Sequence, residues 1–254
     1  EAIIPQADFV FLCVPSWVVR AAIGEIMAHL SKHTIVISLS KGIERDTQET
    51  IDAVLEKSLP VGQPSALLAG PMLAEELMQD MPGFAVVASV NEKTYQATES
   101  LFLNTNLYVE YASDMRSVAL ASVLKNIYAI ALGIADGLGW GSNQKGWLTA
   151  AGLHEMGQIV TLLHGNAELL KSVAGIGDFL ATGYSCYSRN FQVGNELIQK
   201  GTCGLESEGL VSMPARGTML KGETENLPLF EALTNIILHK KDAKDAFAKI
   251  YPRR

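Results

Sequence analysis

Leu120-Ala-Ser-Val-Leu-Lys-Asn-Ile-Tyr-Ala-Ile-Ala-Leu-Gly-Ile134 is the most apolar helix this chain can form, and Lys125 and Asn126 sit in its middle. From Ser117 to Ile134, Lys125 is the only charged residue. At roughly 20 residues the run is long enough to cross a bilayer. A central lysine, however, costs about 2.5–3.5 kcal/mol on insertion scales, so the sequence predicts the core helix of a globular domain and no stable membrane insertion. Desolvating a lone ammonium costs several kcal/mol, so Lys125 must be paired or employed. The same desolvation lowers its pKa toward the range useful for proton transfer. The plainer alternative is a lysine whose aliphatic stem carries its charge out to solvent.

The sequence on either side of this helix differs in kind. Upstream, short β-branched runs alternate with helical patterns, the mark of a parallel sheet wrapped by helices. Strands are predicted at 8–15, 34–40, 66–70, 84–90 and 107–110, with helices at 16–30, 47–57 and 92–102. The first run, Asp8-Phe-Val-Phe-Leu-Cys-Val-Pro15, is apolar almost throughout, as suits a strand covered on both faces. Downstream of Ser113 no strand pattern appears. Helices are predicted at about 115–138, 142–164, 175–186, 189–200, 206–220, 227–239 and 241–249, several of them closed by a glycine. The fold class is therefore α/β plus all-α. Residues 1–112 are expected to form a partial Rossmann-like domain of the dinucleotide-binding kind and residues 113–254 an all-helical domain.

Such a nucleotide domain normally opens with a strand, a glycine-rich turn and a helix whose N-terminus holds the pyrophosphate. No GxGxxG occurs in these 254 residues, and the chain starts mid-sheet, as a fragment of a longer protein would. A sheet without its first strands is expected to show an open edge and apolar surface.

Composition narrows the function. The net charge of −7, with no basic block longer than Arg253-Arg254, argues against nucleic acid as a partner. An anionic substrate would need a local basic pocket. Cys13, Cys186 and Cys203 have no CxxC spacing, and their odd number speaks against a disulfide framework and for reduced thiols in the cytoplasm. Glu1-Ala-Ile-Ile-Pro5 lacks the basic n-region of a signal peptide, and no metal site is expected.

Several short motifs carry polar chemistry. Lys41-Gly42 lies at the carboxyl end of the second strand, where open α/β sheets place ligands; the competing reading is a surface lysine in a turn. Gly70-Pro71 ends the third strand, with a glycine that allows close backbone approach. In Gly175-Ile-Gly-Asp178, Asp178 and Thr182 share one face of a helix starting at the glycines. Ser188-Arg189-Asn190 reads as a serine N-cap with a guanidinium and a carboxamide on the first turn. That suits an oxyanion or, more plainly, a surface cap.

Together these motifs resemble the NAD(P)-dependent glycerol-3-phosphate dehydrogenases. The resemblance rests on Val14-Pro-Ser16, Ser40-Lys-Gly42, Gly70-Pro71 through Ala74-Glu75, Leu124-Lys-Asn126, Gly133-Ile-Ala-Asp-Gly-Leu138, Gly175-Ile-Gly-Asp178 and Ser188-Arg-Asn190. Asp136-Gly-Leu-Gly-Trp-Gly-Ser-Asn143 is closest to the bacterial form. The resemblance implies that residues 113–254 are a substrate-binding and catalytic domain of the 6-phosphogluconate dehydrogenase C-terminal kind, with NAD or NADP as cofactor. It also implies reversible hydride transfer between the nicotinamide and dihydroxyacetone phosphate or sn-glycerol 3-phosphate, in glycerophospholipid precursor synthesis. A homodimer is expected from the family alone.

By the same resemblance Lys125 is the acid/base, and Lys41 and Asp178 complete the catalytic group. Gly70, Met72, Asn126, Thr182, Ser188, Arg189 and Asn190 fall on the substrate side, where Arg189 and Asn190 match the phosphate-binding pair. Pro15, Lys41, Ala74, Arg189 and Glu208 fall on the cofactor side. Met72 departs from the pattern, since Ser or Thr usually follows Gly-Pro. The alternative from another class is a truncated, non-catalytic remnant that binds a phosphorylated ligand or dimerises without turnover.

Overall fold

In the computed structural model, which describes residues 3–215, 220 and 227–250, five strands form one sheet in the order β1-β2-β3-β4-β5. They are β1 (Phe9–Leu12), β2 (Ile35–Ser38), β3 (Ser65–Ala69), β4 (Gly83–Ala88) and β5 (Leu107–Ala112). Side chains alternate across the pleat. Leu12, Val36, Leu67, Ala69, Val86 and Ala88 meet Val19 and Ile23 of α1 (Val19–Ile26) and Ile51, Val54 and Leu55 of α2 (Ile51–Ser58) on one face. Ile35, Ile37, Ala66, Leu68, Ala85 and Val87 face the other way, against Tyr95 and Ala97 of α4 (Glu92–Ser100). Burial on both faces is why the central strands read as unbroken apolar runs. β1 is an edge strand, and Phe11 on it is 40% exposed.

The sheet is not wholly parallel. β1, β2 and β3 run together, but β4 pairs antiparallel with β3, and β5 then follows β4 in parallel. The cause lies between Ala69 and Gly83. A parallel return usually carries a full helix across the sheet. Here Gly70, at φ 151°, turns the chain at once, and the Pro71 carbonyl accepts the Phe84 amide. Only the one-turn α3 (Ala74–Leu77) fits in the connection, an element the apolar pattern had not disclosed.

After β5 the described elements are helical. The Asp114 side chain accepts the Ser117 amide and caps α5 (Met115–Gly137), in which every residue from Ser117 to Ala135 is buried. By length and composition α5 could cross a membrane, yet its apolar stretch is wholly inside the fold. It is the axis of the helical half, packed by α6 (Ser142–Leu162), α7 (Asp178–Gly183), α8 (Arg189–Lys200) and α9 (Glu208–Ser212). α8 approaches α5 backbone to backbone. A Cβ on Gly133 would lie 2.1 Å from the Phe191 carbonyl oxygen, and one on Gly194 would lie 2.1 Å from that of Ile130.

Helices Pro228–Ile237 and Ala243–Ala248 follow the predicted pattern, shortened at their ends. A 3₁₀ turn at Ala167–Lys171 was not predicted. The helix expected at 175–186 starts as a π-helical turn, Val173–Gly177, that runs into α7. The helix expected at 206–220 is α9 with a 3₁₀ turn at Met213–Ala215; residues 216–219 and Arg253-Arg254 lie outside the described residues.

Candidate active site

The carboxyl ends of β1, β2 and β3 carry Pro15, Lys41 and Gly70 respectively, and the helical half closes over them. Lys125, on the third turn of the buried stretch of α5, is 5% exposed and does not reach solvent along its stem. Its Nζ donates to Thr182 Oγ1 at 2.7 Å and to Asp178 Oδ1 at 3.1 Å. The second oxygen of the same carboxylate accepts from Lys41 Nζ at 2.8 Å. Lys41 Nζ also donates to the Gly70 carbonyl oxygen at 2.7 Å, so the lysine is no loose surface residue. Thr182 Oγ1 lies 3.2 Å from Asp178 Oδ1, one helical turn away on the shared face.

The electrostatics follow from this geometry. Burial pushes the Lys125 amine from its usual 10.5 down to about 8; the Asp178 carboxylate resists that shift and the Lys41 ammonium adds to it. Burial alone would raise the Asp178 carboxyl, but the two ammoniums outweigh burial and hold it below its usual range. Two cations around one carboxylate leave local positive charge in a chain of net charge −7.

A second set of hydrogen bonds runs beside the first. Asn126 Nδ2 donates to the Lys41 carbonyl oxygen at 2.6 Å, and Asn190 Nδ2 donates to Asn126 Oδ1 at 2.8 Å. Asn190 Oδ1 accepts the Gly209 amide at 2.9 Å. Asn190 is therefore turned inward, while Arg189 at the start of α8 is exposed and makes no hydrogen bond or ion pair among the described residues. The Ser188 hydroxyl accepts the Phe191 amide at 3.3 Å, the helix cap expected of it. Met72 packs, partly buried, against the apolar cluster on one face of the sheet, and Pro15 and Ala74 are exposed at the starts of their helices. Glu208 accepts from the Ser16 amide at 2.9 Å and from its hydroxyl at 2.6 Å.

The structure thus brings Lys41, Lys125, Asp178, Thr182, Gly70, Asn126 and Asn190 into one hydrogen-bonded group. It leaves Arg189, Pro15 and Ala74 outside that group's bonds. Ser16 went unassigned in the sequence reading. The available signal was a hydroxyl residue just after a strand, at the start of a helix.

Comparison with known proteins bears directly on this arrangement. Residues 1–95 match the family model of the NAD-dependent glycerol-3-phosphate dehydrogenase N-terminus, and residues 114–248 match that of the C-terminus. The chain belongs to the NAD-dependent glycerol-3-phosphate dehydrogenase family. Glycerol-3-phosphate dehydrogenase (NAD(P)+) of Bacillus velezensis is 32% identical over 257 residues, a match spanning 97% of this chain and 74% of that protein. The Syntrophotalea carbinolica enzyme is 33% identical over 255 residues, with 97% and 77% covered. The crystal structure of the Coxiella burnetii glycerol-3-phosphate dehydrogenase superposes with a TM-score of 0.86 at 28% identity, over 97% of this chain and 77% of that one. This member of the dehydrogenase family therefore spans about three quarters of the length of these relatives. The family fold, a Rossmann-like sheet followed by helices, is the fold described above.

The role of Asp178 can be checked without turnover. In Asp178→Asn the carboxylate no longer opposes desolvation, so the Lys125 amine is expected to titrate clearly below about 8. The measurement is ¹³C NMR of reductively methylated lysines across a pH series. An unchanged or higher titration would show that Asp178 does not hold the ammonium.

Proposed function

We propose that Lys125 is the proton donor and acceptor in the reaction of this family, the reversible reduction of dihydroxyacetone phosphate to sn-glycerol 3-phosphate with NADH or NADPH. The observation that supports this most strongly is the 5%-exposed ammonium held 2.7 Å from Thr182 Oγ1 and 3.1 Å from Asp178 Oδ1. A general acid works best when its pKa lies near the operating pH, and burial brings Lys125 to about 8. The nicotinamide ring, when bound, supplies or accepts the hydride. The donor set fits such a cofactor: the Lys41 ammonium stands past the carboxyl end of β2, where open sheets take nucleotides, and the Arg189 guanidinium is an exposed cation at the start of α8.

In this reading Lys125 Nζ gives a proton to the carbonyl oxygen of dihydroxyacetone phosphate as that oxygen gains charge, and takes it back from the hydroxyl in the reverse direction. Asp178 and Thr182 keep Nζ aimed. Lys41 adds positive charge beside the substrate and the dinucleotide. Arg189, without an internal partner among the described residues, receives the phosphate together with Asn190, Ser188 and the N–H groups opening α8. Asn126 lines the polyol side, with Gly70 and Met72. Pro15, Ala74 and Glu208 stand on the cofactor side. The domain boundary in this reading falls near residue 112, with the sheet bearing the cofactor and the helices bearing the substrate. The free thiols of Cys13, Cys186 and Cys203 suit a cytoplasmic enzyme, and the family expectation of a homodimer is part of the same reading. A non-catalytic remnant gives no reason for two lysines to share a buried carboxylate.

Removing Lys125 as Lys125→Ala is expected to lower kcat for NADH or NADPH oxidation with dihydroxyacetone phosphate by about 10²–10⁴-fold, with little change in phosphate-substrate binding. Turnover surviving within about tenfold would end the assignment. Arg189→Ala should act the other way, raising KM for dihydroxyacetone phosphate with a smaller effect on kcat. An unaltered KM would remove Arg189 from the phosphate site.

A further inference from the structure

The contact between Ser16 and Glu208 joins the first turn after β1 to α9, residues 192 apart in sequence. Ser16 is fully buried. Its amide donates to Glu208 Oε1 at 2.9 Å, and its Oγ lies 2.6 Å from Oε2 and 3.0 Å from the Ile43 carbonyl oxygen. The single hydroxyl proton serves the carboxylate, at the shorter distance. The carboxylate thus sits at the first amides of the Ser16–Ile26 helical run, where a negative charge is favoured. Gly42, next to Lys41, makes room for it: a Cβ there would lie 1.9 Å from Glu208 Oε2.

What makes this more than a surface clasp is the residue after Glu208. The Gly209 amide donates to Asn190, Asn190 donates to Asn126, and Asn126 donates to the Lys41 carbonyl. Lys41 in turn shares Asp178 with Lys125. A Cβ on Gly209 would lie 2.6 Å from the Asn126 carbonyl oxygen, so α9 is seated hard against α5. A continuous chain of hydrogen bonds and adjacent residues therefore leads from Ser16 to the two lysines. Its components come from the turn after β1, the turn after β2, and α5, α8 and α9.

We infer that Ser16 is a positioning residue for the reaction: by fixing Glu208 it seats α9, and through Gly209, Asn190 and Asn126 it fixes where Lys41 stands relative to Asp178 and Lys125. The inference rests on the assignment of the two lysines to catalysis. It differs from a cofactor-side role for Glu208 alone, because the effect passes to groups on the proton-transfer side.

Two variants approach the contact from opposite sides. Ser16→Ala removes the hydroxyl, and Gly42→Ala places a methyl where the carboxylate lies. Both are expected to speed hydrogen exchange at the Gly209 amide at least tenfold, read by NMR, and to lower kcat at least tenfold while KM for dihydroxyacetone phosphate moves less than threefold. A plain packing role would lower the melting temperature without that split between kcat and KM. Unchanged Gly209 exchange in both variants overturns the inference. So does faster exchange with kcat kept within twofold, since α9 would then be loosened without consequence for the lysines. Exchange at Gly209 needs no turnover, so failure here is separable from failure of the Lys125 assignment, which the Lys125→Ala rate decides.

Discussion

One carboxylate shared by two ammoniums sets the terms for the rest of the molecule. Asp178 accepts Lys125 on one oxygen and Lys41 on the other; Asp178 and Lys125 are withdrawn from bulk water and Lys41 partly so. Such a cluster is costly to assemble, and removing one partner of a buried pair costs about 3–5 kcal/mol. The fold meets that cost by enclosing the cluster between two different kinds of structure. Lys41 comes from a loop at the end of β2, Lys125 from the middle of α5 and Asp178 from the start of α7. Neither half of the chain can complete the site alone.

The position of α5 makes this arrangement possible. A helix buried from Ser117 to Ala135 gives Lys125 no route to solvent, so its ammonium must find its partners inside the protein. The glycines at 133 and 194 let α8 come close enough for Asn190 to meet Asn126, and Asn126 then holds the Lys41 loop. Burial lowers the Lys125 pKa while Asp178 limits the fall. The balance keeps the amine mainly protonated near neutral pH yet able to part with its proton.

Much of this was legible in the residues themselves. The lone lysine in an apolar helix identified the proton-transfer candidate, because burial of charge is a strong local constraint. The central strands were found because both of their faces are covered. The i, i+4 spacing of Asp178 and Thr182 foretold their shared face. The antiparallel step between β3 and β4 was not legible, since it depends on a backbone turn at Gly70 and on a connection that holds only one helical turn. The inward turn of Asn190 was equally hidden. Its partners, Asn126 and Gly209, lie 64 and 19 residues away, and no local pattern encodes such a pairing. The Ser16–Glu208 contact was hidden for the same reason.

The central claim is that the proton of the reaction resides on Lys125, and the pH dependence of kcat in the two directions tests it most directly. With dihydroxyacetone phosphate as substrate, the protonated amine is required, so kcat should fall as pH rises through about 8. With sn-glycerol 3-phosphate, the neutral amine is required, so kcat should fall as pH drops through the same value. Mirror-image limbs near that pH, absent in Lys125→Ala, are the predicted result. Rates that are flat across about pH 7–9 in both directions, or limbs that persist without Lys125, would contradict the account.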